Sequence, residues 1–179
     1  LYLIGGGFCG ETTLAGTLES CYRRSKTELG SSNYWPDFLN DQMGTEGLIS
    51  LNEPRYQNWT KVLFAYCDGS MMQGGSDSPV SYKDTKLYFR GGRIMRSHFK
   101  YLINQYNMDK ASKIMLTGGS AGGLASILWG NYLQSIVSTP SSVIVIPDSA
   151  IFINSTTFKD NQALIQQQIS TLMQVAQQS

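Results

Sequence analysis

One stretch decides how this chain folds: Leu116-Thr117-Gly118-Gly119-Ser120-Ala121-Gly122-Gly123. An apolar run precedes it and a helical pattern follows it, so the serine lies on a turn between a strand and a helix. Gly118-x-Ser120-x-Gly122 is the G-x-S-x-G pattern, which in this context lifts the serine Oγ above a sheet on a strained turn. Ser120 is therefore the candidate nucleophile. The amide of Ala121, at a helix N-terminus, is a candidate donor to an oxyanion.

A second glycine run, Gly5-Gly6-Gly7, closes the first apolar run of the chain. In α/β-hydrolases a further oxyanion donor comes from a glycine-rich loop after an early strand. Since no Cβ intervenes, a backbone N–H there can approach a reacting carbonyl. Gly6 and Gly7 are therefore candidate oxyanion donors. The alternatives are a merely flexible turn at this run and, at Ser120, a turn that packs tightly or holds a phosphate. Residues 118–123 lack the lysine of a P-loop, which argues against an NTPase.

Short apolar runs and amphipathic stretches alternate along the chain. The runs predict buried strands at residues 1–4, 62–66, 113–116 and 142–146. Apolar residues at helical spacing predict helices at about 14–26, 85–106, 121–137 and 157–176. Strands that alternate with long helices indicate βαβ units and a mostly parallel sheet. The predicted fold class is α/β, with an α/β-hydrolase-like sheet flanked by helices in one domain.

A serine hydrolase also needs a base for the Oγ proton and an acid that orients the base. In the α/β-hydrolase order both follow the serine, but no histidine follows Ser120. His98, upstream, is expected to be a half-exposed helix histidine, because a reversed triad of His98, Asp109 and Ser120 belongs to a different fold. We expect the base, and the acid, beyond Ser179. Residues 1–179 are then a single domain truncated at both ends.

Composition narrows the choice of partner. The formal net charge is +1, from 14 basic and 13 acidic residues, and 15% of the residues are charged, against a usual ~25%. Nucleic acid or an anionic membrane surface would call for a basic patch. The balance therefore fits an uncharged or carbohydrate substrate, with no nucleic acid. No apolar run approaches the ~20 residues of a membrane span.

The cysteines and two sequons bear on the compartment. Cys9, Cys21 and Cys67 match no zinc pattern, and no metal or cofactor is expected. An odd count leaves one thiol unpaired within the chain. Asn58 and Asn154 begin N-x-S/T sequons, which accept a glycan only in a secretory route. Together these features favour a secreted protein or the lumen of the secretory pathway.

Five motifs resemble those of plant pectin acetylesterases, in order and at approximate spacing. Residues 3–9, L-I-G-G-G-F-C, are similar to their L-E-G-G-G-W-C. The other four are N-W-T-K-V with Y-C-D-G at 58–69, L-Y-F-R-G at 87–91, L-T-G-G-S-A-G-G at 116–123 and D-S-A-I-F at 148–152. The chain is identified as resembling the pectin acetylesterase/Notum family of α/β-hydrolases.

This resemblance implies roles for particular residues. It implies a Ser–Asp–His triad of which only Ser120 is present, with oxyanion amides on Gly6, Gly7 and Ala121. It implies a Cys9–Cys21 disulfide, and a partner for Cys67 upstream of Leu1. Phe8, Asp68 and Asp148 are candidates for the substrate cleft. Asp148 matches a position at the rim of the active site, although from its place after the last strand it could also be the acid or a helix cap.

The expected activity is hydrolysis of a carboxylic ester. Acetyl esters on a polysaccharide such as pectin are the first expectation, because the motifs resemble the plant members more closely. The alternatives are removal of a fatty acyl group from a protein, as in the Notum branch, and a catalytically inactive member that only binds. The oligomeric state is left open.

Overall fold

A four-stranded parallel sheet forms the centre of the chain in a computed structural model. The structure describes residues 1–37, 50, 53–138, 142–153, 156 and 164–177. The strands are β1 (Tyr2–Leu3), β2 (Leu63–Phe64), β5 (Lys113–Gly119) and β6 (Ser142–Asp148), in the order β2-β1-β5-β6. All three pairings are parallel. The predicted α/β fold with a mostly parallel sheet is confirmed.

The register brings the carboxyl ends of the strands to one edge. Leu3 of β1 pairs with Phe64 of β2 and with Gly118 of β5. Gly119, the last residue of β5, pairs with Asp148, the last residue of β6. Loops that leave these strands therefore meet at the same edge of the sheet, where open parallel sheets form their sites.

Four α-helices are the other main elements of the described chain. They are α1 (Leu14–Ser25), α2 (Gly91–Tyr106), α3 (Ala121–Ile136) and α4 (Leu164–Ala176). The side chain of Thr13 caps α1 by accepting a hydrogen bond from the Gly16 amide at 3.1 Å. Helices α2 and α3 pack together through aromatic rings, with the centroids of Phe99 and Trp129 5.9 Å apart. Helix α1 packs against α4.

The helix expected from about residue 85 begins only at Gly91, and that part of the prediction is wrong. Thr85–Leu87 form a strand, β4, which pairs antiparallel with β3 at Val80–Tyr82. Lys83, in the turn between them, has a φ of 51°. A three-residue strand is too short for its alternation to stand out from the helical pattern that follows it. The start of the helix expected from residue 157 lies outside the described residues, and α4 is described from Leu164.

Packing between α3 and the sheet has no room for side chains at two points. A Cβ on Gly118 would lie 2.5 Å from the carbonyl oxygen of Leu3. A Cβ on Gly122, the second residue of α3, would overlap the same oxygen and lie 2.7 Å from the Leu3 carbonyl carbon. Both flanking glycines of the G-x-S-x-G pattern thus let α3 approach the backbone of β1.

The core is built mainly from β1, β5 and the helices. Its fully buried side chains include Leu3, Phe99, Leu116, Leu133 and Leu172. Burying one leucine contributes roughly 1.5–3 kcal/mol relative to leaving it in water, so this cluster supplies much of the stability. In the part of the chain that is described, no helix has the length and apolar character to cross a membrane.

Replacement of Gly122 tests the close approach of α3 to β1. We expect Gly122→Ala to lower the free energy of unfolding by about 1–3 kcal/mol, because the new Cβ overlaps backbone rather than a movable side chain. Gly75→Ala is the matched control: nothing lies within 4 Å of a Cβ at Gly75, so we expect a change within about 0.5 kcal/mol. Urea denaturation of the full-length protein measures both, and equal midpoints would contradict the packing.

Candidate active site

Ser120 lies on the turn between β5 and α3, with its side chain exposed. Its backbone has φ 53° and ψ −119°, a combination that a residue with a side chain rarely adopts. Two hydrogen bonds hold this turn. The Ser120 amide donates to the Asp148 carbonyl at 3.0 Å, and the Ser120 carbonyl accepts from the Leu124 amide at 3.0 Å. The strained backbone therefore presents Oγ at the carboxyl edge of the sheet.

Ala121 is the first residue of α3, and its side chain is buried. The first amides of a helix have no intrahelical acceptor, and the helix dipole favours negative charge near them. Within the described residues, no acceptor is recorded for the Ala121 amide. This N–H next to Ser120 is therefore available to a developing oxyanion.

The glycine run after β1 packs directly against the strand-to-helix turn at Gly119 and Ser120, called the elbow below. A Cβ on Gly5 would lie 2.5 Å from the carbonyl oxygen of Gly119 and 3.4 Å from the Cβ of Ser120. Gly6 and Gly7 follow with φ values of 124° and 67°, and Gly7 is exposed. The structure thus brings the predicted oxyanion residues and the predicted nucleophile to one edge of the sheet.

Two side chains that sequence reasoning missed lie behind this loop. Arg24 donates from Nη1 to the carbonyl oxygen of Gly6 at 2.6 Å, and the Tyr66 hydroxyl donates to the carbonyl oxygen of Gly7 at 3.0 Å. Burial raises the pKa of Tyr66 far above its usual range, so the phenol stays protonated and can donate. The sequence signals were weak: Tyr66 stands next to the Cys67-Asp68-Gly69 motif, and Arg24 lies one helical turn after Cys21.

Phe8 and Asp148, two of the candidates for the substrate cleft, differ in their burial and contacts. Phe8 is half-buried and packs against the core. Asp148 is exposed; its Oδ1 accepts a hydrogen bond from the Ser149 hydroxyl at 2.9 Å, and its carbonyl holds the Ser120 amide. Asp148 therefore contributes to the elbow through its backbone. Contact of either side chain with substrate stays a prediction.

Asp68 is buried and holds the start of α2. Its Oδ2 accepts hydrogen bonds from the Gly91 amide at 2.6 Å and from the Ser70 hydroxyl, and its Oδ1 accepts from the Ser70 amide at 3.1 Å. A carboxylate at a helix N-terminus is also favoured by the helix dipole. These contacts give Asp68 a structural role as an anchor of α2, beside its predicted place in the cleft.

The expected disulfide between Cys9 and Cys21 is present. Cys67 carries a free thiol, is half-buried, and has its pKa raised by that burial; its expected partner upstream of Leu1 stays a prediction. Asn58 is exposed, as an acceptor of a glycan must be. Asn154, the second candidate, lies outside the described residues.

The structure does not bring the reversed triad together. His98 is half-buried on α2, with its ring 5.2 Å from that of Phe64, and loss of solvent lowers its pKa. It lines a groove with Leu1 and Lys113, at the amino ends of β1 and β5. Asp109 precedes β5, whereas Ser120 follows it. The base for Ser120 is therefore not supplied by His98.

A serine on a strained strand-to-helix turn, at the carboxyl edge of a parallel sheet and beside a glycine loop, defines the α/β-hydrolase class. Comparison with known proteins narrows this class. A family model described as Pectinacetylesterase matches residues 1–179, and the chain belongs to this family. It is 33% identical over 157 residues to pectin acetylesterase 5 of Arabidopsis thaliana, a match that covers 86% of this chain and 34% of the relative.

Relatives outside plants share the fold. The chain is 30% identical over 131 residues to the palmitoleoyl-protein carboxylesterase Notum of Schmidtea mediterranea. This match covers 72% of this chain and 23% of the relative. A solved structure of the Wnt deacylase Notum from Drosophila superposes with a TM-score of 0.80 at 21% identity, over 98% of this chain and 50% of that chain. This chain spans about a third of the length of the curated plant relatives it matches.

Replacement of Asp68 separates anchoring from substrate contact. In Asp68→Asn either orientation of the side chain sets its NH2 group against a backbone N–H, that of Ser70 or that of Gly91, so we expect the free energy of unfolding to fall by about 1–3 kcal/mol. Asp84→Asn is the control, because Asp84 forms an exposed ion pair with Lys26, and such pairs contribute about 0–1 kcal/mol. Denaturation and the Michaelis constant are measured on both. An unchanged stability with a raised KM would show that Asp68 acts on substrate instead.

Proposed function

We propose that this protein is a serine carboxylic ester hydrolase that removes acetyl groups from a polysaccharide such as pectin. The observation that carries the proposal is the strained turn at Ser120, with the Ala121 amide beside it and the Gly5 loop packed against it. Membership of the Pectinacetylesterase family supports the same chemistry.

Acylation begins when Ser120 Oγ attacks the carbonyl carbon of the ester while a base takes the Oγ proton. The carbonyl π electrons move to oxygen, and the amides of Gly6, Gly7 and Ala121 stabilise the resulting oxyanion. Loss of one such donor typically reduces kcat by roughly 10²–10³-fold. The intermediate collapses to an acyl-serine as the sugar hydroxyl leaves with the proton. Water then repeats the sequence and releases the acid.

The base and its orienting acid belong to the proposal as well. We assign these roles to a histidine and an aspartate outside the 179 residues, because the structure does not bring His98 to Ser120. The neighbourhood of Ser120 agrees with this assignment, since its side chain is exposed at an edge of the sheet that other chain segments can reach.

Two observations bear on the acyl group, and they favour different chain lengths. Acetyl is favoured by the 33% identity to pectin acetylesterase 5, over 86% of this chain. One observation favours a longer acyl chain: Ile151 and Ile153, shortly after β6, are 92% and 71% exposed. Apolar residues at that edge would suit a fatty acyl group, as removed by the protein deacylase that is the second candidate.

The proposed setting is secreted or within the secretory lumen. The Cys9–Cys21 disulfide is stable in an oxidising compartment. The exposed Asn58 in its sequon is compatible with a glycan. An acylated cell-wall-like polysaccharide is the partner that such a location would offer.

Ser120→Ala in the full-length protein tests the nucleophile. We expect loss of labelling by a fluorophosphonate probe and a fall in kcat of roughly 10⁶-fold, because the covalent route disappears. Ser135→Ala is the matched control, since Ser135 is an exposed serine of α3 whose hydroxyl donates to the Tyr132 carbonyl at 2.7 Å; it should label and turn over as wild type. Labelling that persists in Ser120→Ala would remove Ser120 from the reaction.

A series of nitrophenyl esters from acetyl to palmitoleoyl tests the acyl group. We expect kcat/KM to be highest for acetate and to fall as the chain lengthens. The opposite order would favour the protein deacylase. No hydrolysis of any ester, with no labelling of Ser120, would favour a member of the fold that only binds.

A further inference from the structure

The loop that carries two of the proposed oxyanion amides consists of glycines, which have the freest backbone of any residue. A donor helps a transition state only when its direction is fixed before the reaction. Two side chains from outside the loop hold its carbonyls. Arg24 Nη1 donates to the Gly6 oxygen at 2.6 Å, and the Tyr66 hydroxyl donates to the Gly7 oxygen at 3.0 Å.

Because of the geometry of the peptide bond, a hydrogen bond that fixes a carbonyl also fixes the direction of the following N–H. In a trans peptide the C=O of one residue and the N–H of the next lie in one plane and point in opposite directions. The hydrogen bond from Arg24 therefore fixes the direction of the Gly7 N–H. The hydrogen bond from Tyr66 fixes the plane on the other side of Gly7. No acceptor is recorded for the Gly7 N–H among the described residues, so it remains available to substrate.

We propose that Arg24 and Tyr66 are positioning residues that act as a carbonyl clamp, fixing the two peptide planes around Gly7 so that its amide is aimed at the oxyanion. The proposal rests on the proposed function, since the oxyanion is that of the ester hydrolysis described above. Neither side chain contacts the reacting atoms in this scheme. Both act through the backbone of the loop.

The hydrogen bonding of Arg24 supports this role. Among the described residues its Nε and Nη2 are buried without a hydrogen-bond partner, which is unfavourable for a cationic group. The hydrogen bond that the guanidinium does make goes to the Gly6 carbonyl. A cation on that oxygen also polarises the peptide, which strengthens the Gly7 N–H as a donor.

The two members of the clamp are held in place by each other and by their surroundings. The guanidinium of Arg24 lies over the ring of Tyr66, 5.0 Å from its centroid. The Tyr66 hydroxyl accepts a hydrogen bond from the Met71 amide at 2.8 Å and donates its one proton to the Gly7 carbonyl.

The Cys9–Cys21 disulfide connects the loop to the helix that supplies the clamp. Cys9 lies two residues after Gly7, and its amide donates to the Gly69 carbonyl at 3.0 Å. Cys21 and Arg24 are three positions apart on α1 and so share a helix face. The disulfide thus sets the distance between α1 and the loop that Arg24 has to span.

Arg24→Met and Tyr66→Phe in the full-length protein test the clamp. Each keeps most of the side-chain volume and removes the hydrogen bond to the loop. We expect kcat on an acetyl ester to fall roughly 10–100-fold with KM changed less than about twofold, because a misdirected donor acts on the transition state. Affinity for a trifluoromethyl ketone, which forms an oxyanion on the serine, should fall in parallel with kcat/KM. Arg24→Lys keeps a donor and should recover part of the loss.

Arg23→Met and Tyr82→Phe are the matched controls. Arg23 is the exposed neighbour of Arg24 and pairs with Glu19, and the Tyr82 hydroxyl also bonds Glu19. Neither side chain contacts the loop through a recorded hydrogen bond, so both variants should turn over as wild type. Thermal unfolding of all five variants separates a loss of stability from a loss of rate.

Hydrogen exchange of the peptide that contains Gly5–Phe8 gives a readout that does not depend on activity. We expect faster exchange there in Arg24→Met and Tyr66→Phe, with exchange in α3 unchanged. Wild-type kcat in both variants, or equal exchange in the loop, would overturn the clamp. A wild-type protein that neither hydrolyses esters nor labels at Ser120 would overturn the proposed function instead, and the exchange result would still decide whether Arg24 and Tyr66 order the loop.

Discussion

A backbone contact with no side chain between its partners, from the Leu3 carbonyl to Gly118 and Gly122, sets the position of α3 on the sheet. Because α3 lies so close to β1, the chain has to turn within a single residue at the end of β5, and Ser120 takes the strained backbone that this requires. The same approach places the Gly5 loop against the elbow. The positions of the nucleophile, the helix N-terminus and the glycine loop therefore all follow from this close approach. The two glycines of the G-x-S-x-G pattern are required by packing, whether or not the serine is a nucleophile.

The second layer of the site consists of groups that act on backbone atoms. Asp68 binds the Gly91 amide at the start of α2, the Asp148 carbonyl binds the Ser120 amide, and Arg24 binds the Gly6 carbonyl. Each of these contacts fixes the direction of a peptide plane or the end of a helix. A site built from main-chain donors depends on such contacts, because the donors have no side-chain rotamers by which they could be adjusted.

The sequence predicts the central part of this fold well, since β5, the elbow and α3 are continuous in the chain and combine an apolar run, a glycine pattern and a helical period. The disulfide followed from a family resemblance and not from spacing. The sequence does not predict the β3–β4 hairpin, because three-residue strands show almost no alternation of apolar and polar residues. The predicted start of α2, at about residue 85, therefore lies before its observed start at Gly91. The contacts of Arg24 and Tyr66 with the glycine loop could not be predicted from sequence periodicity. Each is a single hydrogen bond between residues far apart in the chain. The anchoring role of Asp68 could not be predicted for the same reason, because Gly91 lies far from it in the chain.

The position of β1 between β2 and β5 has a consequence for how the chain acquires its structure. Tyr2 pairs with Leu63 on one side and Thr117 on the other, so β1 can pair with β5 only after the long segment between them has been synthesised. Contacts between β5, α3 and β6 are local and form early, whereas pairings of high sequence separation form slowly. The elbow is thus expected to exist before the glycine loop docks on it. Until β1 pairs with it, the exposed edge of β5 can bind a chaperone or pair with another chain and misfold.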